Sequence, residues 1–232
     1  MLRAGGARTA GIVLAALAVA LVVDRAVAGA HVAVGLGLAA CLLLIARACG
    51  LAPADLGLAR ATWPVGLRWG AAAAAVVAAA YALGWLIPPL RATLPQASGD
   101  LQGETLAEVL VVIPLGTVLP EELAFRGLLL ALLGRRLETR AAVLWSSGLF
   151  GLWHVLPSLG GGAANAAIAD VVGGVGFGGG TGVGIRVVAT VCLTALAGVA
   201  LCWLRLRSGS LLAPFLAHWT VNGLGVIVTL LA

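Results

Sequence analysis

Residues 118–127 read VLPEELAFRG and set Glu121, Glu122 and Arg126 inside a long apolar run. Between Glu108 and Arg135 these three are the only charged residues. A charged side chain at the centre of a membrane helix costs at least about 2.5 kcal/mol. Three within a turn and a half must therefore face one another, a neighbouring helix or a wet cavity. Whether this run is a membrane helix decides the fold, and the rest of the chain answers that first.

The 232 residues are 62% hydrophobic and 10% charged, with a mean hydropathy of +1.11. A soluble domain would carry about a quarter charged residues. Apolar runs recur along the whole chain, each near the roughly 20 residues that cross a bilayer as helix. The expected fold is all-α, a polytopic transmembrane helix bundle of about seven spans, forming a single integral membrane domain over 1–232. The spans are predicted at 9–23, 26–46, 65–88, 105–134, 140–157, 184–206 and 209–231. Arg3 and Arg8, the apolar run after them and AVA at 26–28 have the look of a signal peptide. Another apolar run follows at once, so a retained first span is expected, joined to the second in a hairpin around Asp24 and Arg25. Residues 47–64, with Arg47, Asp55, Arg60 and Trp63, are expected along the membrane interface as a turn or short helix. Residues 89–104 read as a polar loop.

All 14 basic residues are arginine. They stand singly or in pairs between apolar runs, which marks topology rather than nucleic-acid binding. With the N-terminus cytoplasmic, ten arginines fall inside, three (Arg25, Arg91 and Arg186) fall outside, and Arg126 lies within a span. The implied location is a bacterial cytoplasmic membrane, the Ala-, Gly- and Arg-rich composition suiting a GC-rich genome. The partners expected are the lipid bilayer and a peptide or membrane-anchored protein, with no nucleic acid. Cys41, Cys49, Cys192 and Cys202 are scattered and form no CxxC, so they read as small apolar residues. Residues 158–184 hold 11 glycines, and Gly174, Gly176 and Gly179 match GxGxxG without the strand and helix that a dinucleotide site needs. An extracytoplasmic loop or a partly re-entrant segment is the better reading of them.

Within the decisive run, Glu122 and Arg126 are four apart and share a helical face. Glu121 is turned about 100° from Glu122. A structural Glu122–Arg126 pair beside a working Glu121 follows. Pro120 cannot donate to the carbonyl of Gly116, so the helix is expected to kink or restart there. A restart would place both glutamates in a first turn, where free N–H groups favour an ionised Glu121.

Two further spans carry similar oddities. His154 follows Phe150 by four, and His218 precedes Asn222 by four. Counted from the nearest cytoplasmic arginines, Glu121, His154 and His218 lie at depths of about 16–23 Å. Three helices thus bring Glu, His and His–Asn to one level. His31 lacks such company and reads as structural.

Two chemistries suit this set. In one, Glu121 and His154 activate water while His218 and Asn222 stabilise an oxyanion. In the other, Glu121, His154 and His218 hold a zinc ion with an open position for water. No HExxH motif is present.

EELAFR fits EExxxR, FGLWH fits FxxxH and HWTVN fits HxxxN, in that order. This combination resembles the CPBP family of intramembrane proteases, which includes CAAX prenyl endopeptidases and bacterial Abi or bacteriocin-immunity-type proteins. The resemblance covers about residues 105–225, a protease-like core. It implies a helical bundle and an intramembrane endopeptidase, a CAAX-type hydrolase acting on membrane-associated or lipidated substrates. It also implies Glu121 as general base with His154, His218 and Asn222 as the oxyanion or metal pair, and Glu122 and Arg126 in support. A non-catalytic binding or immunity protein of the same fold is the alternative. A proton-coupled transporter is disfavoured by the lack of internal repeats.

Overall fold

The structure is a computed structural model that describes residues 29–91, 103–155 and 180–231, together with 11–13, 15–19, 22 and 27. All regular structure among the described residues is helical. Helix α1 spans His31–Ala48. A turn leads through a 3-10 turn at Arg60–Thr62 into α2, Trp63–Leu86. A continuous helical run over 103–134 forms α3. Then come α4, Thr139–Trp153, α5, Gly180–Ser208, and α6, Leu212–Leu231. Residues 11–13 and 15–19, in the first predicted span, are also helical. The hairpin around Asp24 and Arg25, residues 92–102 of the polar loop, residues 156–157 at the end of the fifth predicted span, and residues 158–179 of the glycine-rich segment lie outside the described residues.

Four of these helical segments are long and apolar enough to cross a membrane: His31–Ala48, Arg60–Leu86, Val187–Ser208 and Leu212–Leu231. Their outer faces carry large apolar side chains such as Leu44, Val76, Leu86, Val188 and Leu196, all well exposed. In water that surface would drive association, whereas lipid covers it at no cost.

Helix α3 is the central element. Every side chain from Leu123 to Leu129 is buried, as befits a helix surrounded by other helices on all sides. Its apolar part, Leu123, Ala124, Phe125, Leu128 and Leu129, packs with Leu38, Ala39 and Leu42 of α1, with Val13 and Leu17, and with Phe150 of α4. Around it α6 lies against α2, α5 against α4, and α1 along the first half of α3.

Lipid offers no hydrophobic drive for one helix to leave it for another, so close contact depends on small residues. Gly66 and Gly70 of α2 form such a small-xxx-small edge, pressed on Ser210 just before α6 and on Leu216 within it. On α1, a Cβ at Gly35 would stand 2.5 Å from the carbonyl oxygen of Gly116 and 2.6 Å from that of Leu115. The backbones of α1 and α3 therefore touch.

At one end of the bundle, the turn after α1 binds three helices together. Arg135 donates from its two terminal nitrogens to the carbonyls of Cys49 (3.0 Å) and Gly50 (2.9 Å), and lies 3.6 Å from Asp55. Arg205 donates to the carbonyl of Asp55 at 2.9 Å, and the Leu211 N–H donates to that of Gly57 at 2.8 Å. Within the predicted 47–64 segment, residues 49–62 are thus a turn and a 3-10 step, held at the arginine-bearing ends of α3 and α5.

Replacing Gly35 by Leu is expected to destabilise the protein by about 1–3 kcal/mol through overpacking against α3. Gly37→Leu, on the same helix but with open space around its Cβ, should be close to neutral. Thermal unfolding in detergent compares the two, and equal midpoints would contradict the α1–α3 contact.

Candidate active site

Between residues 108 and 129, α3 is wound more widely than an α-helix. It is π-helical over Glu108–Val118, α-helical for one turn over Leu119–Glu122, and π-helical again over Leu123–Leu129. In a π-turn each N–H reaches back five residues. Pro114 has no N–H, so the carbonyl of Val109, five residues earlier, lacks that partner. The indole of Trp219 on α6 donates to it at 2.7 Å. Ser146 of α4 likewise donates to the carbonyl of Phe125 at 2.8 Å. The proline thus leaves one acceptor that α6 uses as a docking point, whereas the carbonyl of Phe125 also accepts a backbone N–H.

The predicted restart at Pro120 does not occur. Val118 (φ −68°, ψ −44°) and Leu119 (φ −58°, ψ −54°) are both helical, and the Leu119 N–H bonds to the carbonyl of Pro114. π-winding absorbs the proline without freeing a first turn, so Glu121 receives no help from a helix N-terminus. Its partners are side chains from other helices.

Glu122 and Arg126 form the expected pair, at 2.8 Å, with both side chains fully buried. The same Glu122 oxygen, Oε1, lies 2.8 Å from Nδ1 of His218 on α6. An ionised carboxylate only accepts, so Nδ1 of His218 donates, and in the neutral ring Nε2 carries the lone pair. The Arg126 guanidinium lies 3.9 Å from the centroid of the Phe150 ring, a close cation–π contact.

Glu121 sits beside this pair in a different setting. Its Oε1 accepts from the indole N–H of Trp153 at 2.9 Å. Its Oε2 is buried, has no protein hydrogen-bond partner among the described residues, and lies 3.9 Å from Nε2 of His218. That gap is too long for a direct bond, but a small polar molecule can bridge it.

Phe150 is the hub. Its ring meets Phe125, His154 and His218 edge-on, at centroid distances of 5.1, 4.6 and 5.8 Å. His154 caps α4, and its Nδ1 lies 2.8 Å from the carbonyl of Phe150. A carbonyl can only accept, so Nδ1 donates and the tautomer is set. In the neutral ring Nε2 is again the nitrogen with the lone pair.

Glu121, Glu122, Arg126, His154 and His218 are therefore joined, through Phe150 and Trp153, into one buried centre. No hydrogen bond or ion pair joins Glu121 to His154 among the described residues; the imidazole that faces Glu121 is His218. Asn222 is half-buried one turn beyond His218, with no hydrogen bond to the cluster. Nor do Glu121, His154 and His218 stand as a ligand set, since no group of three or more His, Cys, Asp or Glu among the described residues is arranged to hold a metal ion. His31 binds Thr117 at 2.8 Å, in the α1–α3 seam.

Trp153 and Trp219 escaped the sequence reading. Each is adjacent to a site histidine, and a buried indole N–H needs an acceptor. That was the available signal.

Fold and centre together define a helical membrane protein built around a buried carboxylate–imidazole–guanidinium cluster. Residues 103–224, just over half of the chain, match the Rce1-like family, described as type II CAAX prenyl endopeptidase Rce1-like. The chain belongs to that family, which is a family of proteases. No curated protein and no solved structure matches the chain.

Removing Arg126 alone, as Arg126→Met, is expected to destabilise the protein by about 3–5 kcal/mol, because Glu122 is left as an uncompensated buried charge. Glu122→Met combined with Arg126→Met should lose less than the sum of the single losses, with a coupling of at least about 1 kcal/mol. Unfolding of the four proteins in detergent measures the cycle. Additive losses would show that the pair does not act as one.

Proposed function

We propose that this protein is an intramembrane endopeptidase that hydrolyses peptide bonds in membrane-associated or lipidated protein or peptide substrates, with Glu121 as the base. The observation that carries this reading is the unequal treatment of two adjacent glutamates. Glu122 is neutralised by Arg126 at 2.8 Å, whereas Glu121 has no guanidinium beside it; each keeps one buried oxygen without a protein hydrogen bond, and that of Glu121 faces an imidazole nitrogen.

In this reading a water molecule lies between Oε2 of Glu121 and the histidines. Glu121 takes its proton as the water oxygen attacks the amide carbon, and Nε2 of His154 helps to orient that water. The carbonyl oxygen becomes an oxyanion, which the Asn222 amide and a protonated His218 stabilise by donating hydrogen bonds. Glu121 then returns its proton to the leaving amine as the C–N bond breaks. Glu122, Arg126 and Phe150 hold His218 and Glu121 in place. Every step uses side chains of residues 121–222, and none is routed through a metal.

About seven segments cross the membrane in this reading, with the N-terminus in the cytoplasm and the 105–225 core opening toward that side. The arginine distribution supports this orientation, as does the gathering of Arg135, Arg205 and Asp55 at one end of the bundle. The all-arginine, Ala- and Gly-rich composition supports a bacterial cytoplasmic membrane. A CAAX-type cleavage site near a lipidated C-terminus is the substrate that family membership favours.

Protein termini profiled by mass spectrometry in cells carrying wild type or Glu121→Gln, at equal expression, test the reading. Termini present with wild type should vanish with Glu121→Gln, and cleavage should fall by about 10²–10⁴-fold, the range for loss of a general base. His154→Ala should reduce the same termini. Identical profiles for wild type and Glu121→Gln, with the phenotype intact, would instead support a non-catalytic binding or immunity role.

A further inference from the structure

We infer that Trp153 is a positioning residue for Glu121: its indole N–H pins one carboxylate oxygen so that the other faces the reaction. The inference rests on the hydrolytic reading above and adds a residue to it. Trp153 is the last residue of α4, packed against the main apolar core, and it reaches across to α3 to donate to Oε1 of Glu121 at 2.9 Å.

Three features make this more than packing. The terminal torsion of a glutamate is broad and roughly two-fold, so an untethered carboxylate would exchange its two oxygens freely. With Oε1 held by the indole, only Oε2 is presented toward His218, at 3.9 Å. Second, the indole holds Glu121 away from His218. Without it, the carboxylate can swing onto Nε2 and close a direct bond. Base and imidazole would then occupy each other, and no place would remain between them for water.

Third, an indole N–H is a donor and never an acceptor. It binds the carboxylate without competing for the proton that Glu121 takes up. A serine, histidine or second carboxylate in its place would offer that proton an alternative destination.

The test separates the N–H from the ring. Trp153 is replaced by 3-benzothienylalanine through nonsense suppression, which keeps the bicyclic shape but puts sulfur where the N–H was. Trp153→Phe and Glu121→Gln are prepared alongside. The probe is a quenched fluorescent peptide carrying the cleavage sequence found by the comparison of termini. For the benzothienyl protein, kcat should fall about 10-fold or more with KM within about two-fold of wild type, as when an interaction specific to the transition state is lost. Trp153→Phe should match it or be worse. Wild-type kcat in the benzothienyl protein would overturn the inference, even if Trp153→Phe is impaired, because the ring and not the N–H would then matter. A raised KM with unchanged kcat would overturn it too, pointing to substrate contact. If wild type shows no cleavage that Glu121→Gln abolishes, the hydrolytic reading itself fails and takes this inference with it.

Discussion

Two buried charges four residues apart govern the centre of this protein. Glu122 and Arg126 lie on one helix, so their pair can form as soon as α3 does, before any other helix docks. Either one alone would be an uncompensated buried charge, at a penalty of several kcal/mol. The pair then becomes a template. His218 on α6 binds the same Glu122 oxygen that Arg126 binds, and Phe150 on α4 lays its ring against the guanidinium. Two more helices are thereby oriented by a contact internal to a third. The aromatic edges between Phe150 and the two histidines follow from that orientation.

The winding of α3 serves the same end. Inside a membrane every backbone group must find a partner within the protein. Two prolines in the central helix would ordinarily be a liability. One of them becomes an attachment point: Trp219 takes the carbonyl of Val109 that Pro114 leaves, while Ser146 adds a second bond to the carbonyl of Phe125. Gly35 brings α1 against the carbonyls of Leu115 and Gly116, close enough for Cα–H contacts of the weak kind seen between membrane helices. Helices α1, α4 and α6 thus each approach α3 at a backbone oxygen.

Much of this was legible in the sequence, and what was not has a physical cause. The Glu122–Arg126 pair follows from a spacing of four. The separate setting of Glu121 follows from the 100° step between neighbours. Phe150 and His154 met as their spacing suggests. Pro120 misled, because a proline is read against the α-helical bonding pattern, and nothing local announces that a helix will widen to bond five residues back. Which imidazole stands nearest Glu121 was not legible either. Equal depth says that two groups share a level, not which of them face each other around the bundle. Trp153 was passed over for a related reason. Tryptophan in an apolar run looks like lipid-facing or core residue, and only the tertiary structure shows where its N–H goes.

The adjacency of two chemically identical residues then acquires a meaning. Glu121 and Glu122 both approach His218, one at Nε2 and one at Nδ1, so sequence alone gives no reason to assign them different work. Their neighbours do. A proton delivered to Glu122 would break its bond with Arg126 and strand a guanidinium that already has two nitrogens without partners. A proton delivered to Glu121 breaks no contact with a guanidinium, because its neighbours are the neutral indole of Trp153 and His218 at 3.9 Å. The two carboxylates are thus separated by the consequence of protonating each, which is why the proposed reaction gives the moving proton to Glu121 and the fixed charge to Glu122.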